Sequence, residues 1–261
     1  MEFENTKCIK MKNELTHMLN KYFSSNNNQI YYAKLDVDAA KFCKTFNELL
    51  DIMVDFEHPD FYAKRKNEVY IFEHFMVDSS QVENSGSLER IETSRIKKRV
   101  DKYFTEDKKG HISDKIENKA NFENFKKNLH CNYNKHLMKI HEYKTTLEKE
   151  GVIDNNSTVT ASFFIENTSI MGNYIYEKEK LIPFIPFTAD FFIEMLDEHN
   201  EKPDYIIYAQ ETKNENIVAV MSIKYLDVYK QNQTQISSKE FIAFSPHTIQ
   251  KRFYIEGVNE K

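Results

Sequence analysis

Apolar residues recur at helical spacing over residues 11–23, where Leu15, Met18, Leu19 and Tyr22 fall on one stripe. A polar, asparagine-rich break runs from Ser24 to Gln29. The next stripe is longer. Ala39, Phe42, Cys43, Phe46, Leu49, Leu50 and Met53 predict a helix over 38–54, with Asp38 as its N-cap. The pattern then turns to strands. Apolar runs on either side of the charged stretch Lys64 to Glu68 predict a β-hairpin. Its second strand, Val69 to Val77, is apolar on both faces apart from Glu73 and His74, which predicts a central strand. From Phe122 to residue 149, Phe125, Leu129, Tyr133, Leu137, Ile140 and Leu147 keep a helical period. Gly151 ends that helix as a C-terminal cap, and Val159 to Ile165 reads as a buried strand.

The order helix, strand, strand, helix, strand predicts an α/β chain of mixed α+β character. Its αββαβ core covers about residues 36–166, with a mixed central sheet flanked by helices. Residues 79–120 are polar and locally basic, a surface excursion helical in part at 88–104. Residues 167–261 read as a C-terminal α/β extension. There Thr188 caps a helix carrying Phe191, Phe192, Met195 and Leu196. Strands at 204–209 and 217–226 flank a polar turn, and Phe241 to Phe244 is strand-like. Only 5 Gly and 5 Pro occur among 261 residues, so few linkers are visible and 1–261 is expected to be one domain.

Charge changes the picture little. The net charge is −5, so any nucleic-acid surface must be local. Arg95, Lys97, Lys98 and Arg99 head the densest basic cluster and are the candidate phosphate contacts; a solvated helix face is the commoner role of such a run. Three cysteines, odd in number and without a CxxC, give neither a disulfide framework nor a thiolate zinc site. They point to a reducing cytoplasm. No apolar run approaches the ~20 residues that span a bilayer, so no membrane partner is expected.

Two acids carry the candidate chemistry. Asp60 and Glu73 are equidistant from the hairpin turn, so they should face each other with Cβ atoms roughly 5 Å apart. Carboxylates that close repel unless a positive group lies between them, and a hard divalent cation is the usual one. His74 should point to the opposite face from Glu73 and reads as a buried, hydrogen-bonded histidine. Asp78 reads as a turn cap, and Glu166-Asn167-Thr168 as an ordinary strand-to-loop exit in preference to a polar rim of the site. Histidines 130, 136 and 141 are spaced onto different helix faces and should not share a metal.

Pro59-Asp60 on one strand and Glu73-His74-Phe75 on the next resemble the PD-(D/E)XK, restriction-endonuclease-like nuclease superfamily. The resemblance implies a metal-dependent nuclease that hydrolyses phosphodiester bonds of DNA or RNA, of microbial defence type. It implies Mg²⁺ or Mn²⁺ held by Asp60 and Glu73. Phe75 stands where the pattern has lysine. Some members displace that lysine to the following helix, which here offers Lys135, Lys139 and Lys144, with Lys139 the first choice. An acid on the first helix sometimes joins the site, which would be Glu48. The alternative is a catalytically degenerate module of the same fold, used for binding or assembly. A second literal match, Pro203-Asp204 with Glu211-Thr212-Lys213, fails on spacing. A continuous strand at ~3.3 Å per residue would hold its two acids too far apart to share a metal.

Overall fold

Lys66 and Asn67 make the hairpin turn between β3 (Phe61–Arg65) and β4 (Glu68–Val77), with Lys66 at φ 56°. Phe61 pairs with Phe72 and Arg65 with Glu68, the register expected from the sequence. The structure, a computed structural model, describes residues 21–22, 28–56, 58–80, 94, 95, 98, 120–169, 172–212 and 216–243. The predicted first helix and most of the 79–120 excursion lie outside the described residues, although Lys21 and Tyr22 are helical.

A mixed α/β architecture is found. β1 (Asn28–Tyr31) precedes α1 (Val37–Leu50), and β2 (Val54–Asp55) pairs antiparallel with β3. After β4 come α2 (Phe122–Leu137), α3 (Ile140–Lys149) and β5 (Thr158–Asn167), which is parallel to β4. The order from α1 to β5 matches the expected core, with β2 added and the second helix divided into α2 and α3. β8 (Tyr205–Glu211) lies parallel to β5, and β9 (Asn216–Ser222) antiparallel to β8, so the C-terminal third extends the same sheet. The seven strands run β1-β9-β8-β5-β4-β3-β2. Between β5 and β8 the chain forms β6 (Asn173–Glu177), β7 (Lys180–Pro183) and α4 (Asp190–Asp197). After β9 come α5 (Leu226–Gln231) and β10 (Phe241–Ala243), and β10, β6 and β7 make a second, three-stranded sheet.

The period of two divides the central strands between two faces, and a third apolar cluster joins Val69 and Ile71 of β4 to Tyr143 and Leu147 of α3. Phe75, Phe163, Ile165, Tyr208 and Met221 face α2 and α4. Phe72, Phe164, Ile207, Val218 and Val220 face Phe42, Phe46 and Leu49 of α1. Each such side chain removed from water contributes about 1.5–3 kcal/mol. β4 is flanked by β5 and β3, as its two apolar faces predicted. Among the described residues no helix is long and apolar enough to cross a membrane.

Several local expectations are corrected. Asp36, not Asp38, caps α1: its carboxylate accepts from Ala39 N at 2.8 Å, and it also holds Ser222 N and the Tyr229 hydroxyl. Asp38 sits in the first turn and pairs with Lys224. The helix over 122–149 breaks at Met138 and Lys139. There Lys139 N reaches only three residues back, to His136 O, which tightens the turn. Gly151 does follow the end of α3, at φ 71°, where the left-handed backbone suits glycine. Thr188 closes a short 3-10 turn rather than capping α4, whose N-cap is Ala189. β9 stops at Ser222, because residues 223–225 turn into a 3-10 helix that leads into α5.

Candidate active site

β4 delivers Glu73 to the face covered by α2 and α3, where it is 4% exposed. A carboxylate there needs donors, because an unpaired buried charge is costly. Two come from the helices. The Tyr143 hydroxyl of α3 donates to Glu73 Oε1 at 2.6 Å, and His136 Nδ1 of α2 lies 2.5 Å from the same oxygen. The helix break falls between these two residues, so they close on one oxygen from either side of it. An imidazole with its proton on Nδ1 would donate to that oxygen beside Tyr143. Phe75, two residues past Glu73 on the same face, stacks on the His136 ring at 4.9 Å with planes 9° apart.

Asp60 reaches the same place from the start of β3. Its backbone amide lies 3.4 Å from Glu73 Oε2, and its own Oδ2 accepts from His74 N at 2.8 Å. The β3–β4 register brings residues 60 and 73 opposite each other, one step beyond the Phe61–Phe72 pair. Burial pushes the Asp60 carboxyl above its ordinary range, and the Glu73 charge adds to this. The His74 amide and the imidazoles of His74 and His136 pull the other way. Burial and the Glu73 carboxylate together drive the Tyr143 hydroxyl far upward, so it remains a donor.

On the opposite face, His74 Nε2 lies 3.2 Å from Glu166 Oε2. Glu166 Oε1 also accepts from the Tyr22 hydroxyl at 3.0 Å and from Lys21 Nζ at 3.4 Å. Burial raises the Glu166 pKa, but the His74 hydrogen bond and charge, Lys21 and Tyr22 outweigh it and hold the group at about 2. The site therefore has two polar faces joined through the backbone of residues 73 and 74.

The other candidates sit elsewhere. Glu48 pairs with Arg65 at 2.6 Å on the surface. Lys139 is half-buried in the turn between α2 and α3. Arg95 and Lys98 are exposed on helical backbone, and Lys97 and Arg99 lie outside the described residues. Asp78 caps its turn, accepting from Ser80 N at 2.7 Å. Asp204, just before β8, accepts from Ala161 N at 2.7 Å, and the whole of β8 separates it from Glu211, so the second literal motif makes no site.

His136 and Tyr143 were not singled out by the sequence reading as partners of Glu73. A signal existed. Tyr143 lies between Ile140 and Leu147 on the apolar stripe, and a buried tyrosine hydroxyl seeks a partner.

Among the described residues no group of three or more His, Cys, Asp or Glu side chains is arranged to hold a metal ion. Asp60 and Glu73 offer two hard oxygen ligands. That set fits Mg²⁺, which keeps several waters and commonly takes one or two carboxylates plus substrate phosphate. No family model, no curated protein and no solved structure matches this chain.

Proposed function

We propose that this chain is a metal-dependent nuclease that hydrolyses phosphodiester bonds of DNA or RNA. Asp60 and Glu73 would hold Mg²⁺ or Mn²⁺. One observation carries the reading: two acids 13 residues apart in sequence come together, half-buried and buried, on a hairpin inside an α-β-β-β-α-α-β order. When bound, the cation would activate water and stabilise charge on the phosphate. The chain's own groups prepare the place. Tyr143 and His136 fix the Glu73 carboxylate, so it cannot swing away from Asp60. The His74 amide fixes Asp60. His136, not a lysine, is the basic side chain that touches Glu73. Lys139, three residues after it in the turn between α2 and α3, is the first choice among Lys135, Lys139 and Lys144 for the displaced lysine that the resemblance implies. Arg95, Lys97, Lys98 and Arg99 would meet the nucleic-acid backbone. The thiols of Cys43 and Cys131 are free, which suits a reducing cytoplasm. A setting in microbial defence rests on the resemblance alone.

A second reading has its own observation. Phe75 stacks on His136 and fills the position two residues past Glu73. Among the described residues no lysine pairs with Asp60 or Glu73. This favours a degenerate module that binds nucleic acid or a partner without turnover. Thermal unfolding with millimolar Mg²⁺ or Mn²⁺ tests the metal site they would share. The nuclease reading expects a rise in Tm, because only the folded chain has the site, and expects Asp60→Asn to abolish it.

A further inference from the structure

We infer that Glu166 is a positioning residue for the Asp60–Glu73 site, acting through His74 from the far face of the sheet. The inference rests on the metal-site reading above and names a part of that site that no motif covers.

The antiparallel ladder between β3 and β4 begins at Phe61 and Phe72. The His74 amide lies past its end. Instead of a strand carbonyl it finds the Asp60 carboxylate, at 2.8 Å. Where that amide points fixes where Asp60 Oδ2 sits. The backbone of residue 74 is held by the β4–β5 ladder, and its side chain adds a second anchor on the far face. The His74 ring is anchored to Glu166 at 3.2 Å and lies 5.6 Å from the Phe164 ring. Glu166 is itself tied to Tyr22 and Lys21, and Lys21 also pairs with Glu211 at 3.1 Å.

The chain of contacts runs from Lys21 and Tyr22, through Glu166 on β5, through the His74 ring, to the His74 amide and Asp60. His74 is one residue with two attachments: its ring serves one face and its amide the other site. A partner that orients a ligand in this way typically alters metal affinity by ~10–100-fold when mutated. A merely structural role for Glu166 would lower stability and leave the affinity of the folded protein alone.

The test is Mn²⁺ binding to the full chain by titration calorimetry, at a temperature where circular dichroism shows every variant folded. Glu166→Gln keeps the shape but loses the charge that Lys21 and His74 pair with. It should bind Mn²⁺ at least ~10-fold more weakly than wild type. Tyr22→Phe, which removes a single hydroxyl, should show a smaller loss in the same direction, and it carries the test if Glu166→Gln does not fold. If both bind Mn²⁺ as wild type does, while Asp60→Asn does not bind, the positioning role is overturned and the metal site stands. If wild type itself binds no Mn²⁺, the metal-site reading falls and this inference falls with it.

Discussion

The hydroxyl of Tyr143 donates to the carboxylate of Glu73 at 2.6 Å, although the two residues lie 70 positions apart on a helix and a central strand. With His136 on the same oxygen, this bond keeps a charged group inside a core that would otherwise reject it. Tyr143→Phe removes the donor and leaves the acceptor buried. It should cost about 1–3 kcal/mol in urea unfolding. His136→Ala should cost more, because Phe75 also loses the ring it stacks on. Equal stability of Tyr143→Phe and wild type would mean that Glu73 is not the buried acceptor described.

Phe75→Lys restores the letter of the motif but not its setting. Phe75 is 5% exposed and packs on Phe163 and His136. Losing a buried phenyl ring costs about 3–5 kcal/mol in phenylalanine-to-alanine exchanges, and an ammonium placed there must also be desolvated. The variant should unfold at clearly lower urea concentration and gain no cleavage activity. A variant as stable as wild type would show that position 75 tolerates the motif lysine.

Glu166 gives a pH dependence with a defined sign. Its folded pKa of about 2 lies below the ordinary glutamate range, near 4.5, so its ionised form favours folding. That contribution is complete above the unfolded pKa and is lost as pH falls through the folded one. The Tm advantage of wild type over Glu166→Gln should therefore be present above about pH 4.5. It should shrink between about pH 4.5 and 2. A difference that does not shrink as the pH falls from about 4.5 to 2 would contradict the His74 and Lys21 pairing.

The hairpin and its register were legible because the period of two and a charged turn leave few alternatives, and Asp60 and Glu73 followed from them. The α1 cap was misplaced by two residues because Asp36 and Asp38 are chemically equal locally. Asp36 prevails through Ser222 and Tyr229, nearly two hundred residues away. The helix break at Met138 has no proline or glycine to announce it. His136 and Tyr143 were not read as partners of Glu73, and Glu166 was read as a strand exit, because their partners come from other elements, and spacing along one element cannot report a contact across the sheet. Of the second sheet, β10-β6-β7, the sequence showed only β10; the β6–β7 hairpin turns at Lys178 and Glu179 without the glycine or asparagine that usually marks such a turn.

Nucleic-acid cleavage by wild type and Asp60→Asn, side by side, tests the central claim most directly. Single- and double-stranded DNA and RNA would be incubated with the full chain in Mg²⁺ or Mn²⁺. Wild type should cleave at least one of these substrates only when a divalent cation is present. Asp60→Asn should lower that rate at least ~100-fold, the scale of a positioned electrostatic group, while remaining folded. Absence of turnover by wild type on every substrate, or equal turnover by the two proteins, would contradict the nuclease reading.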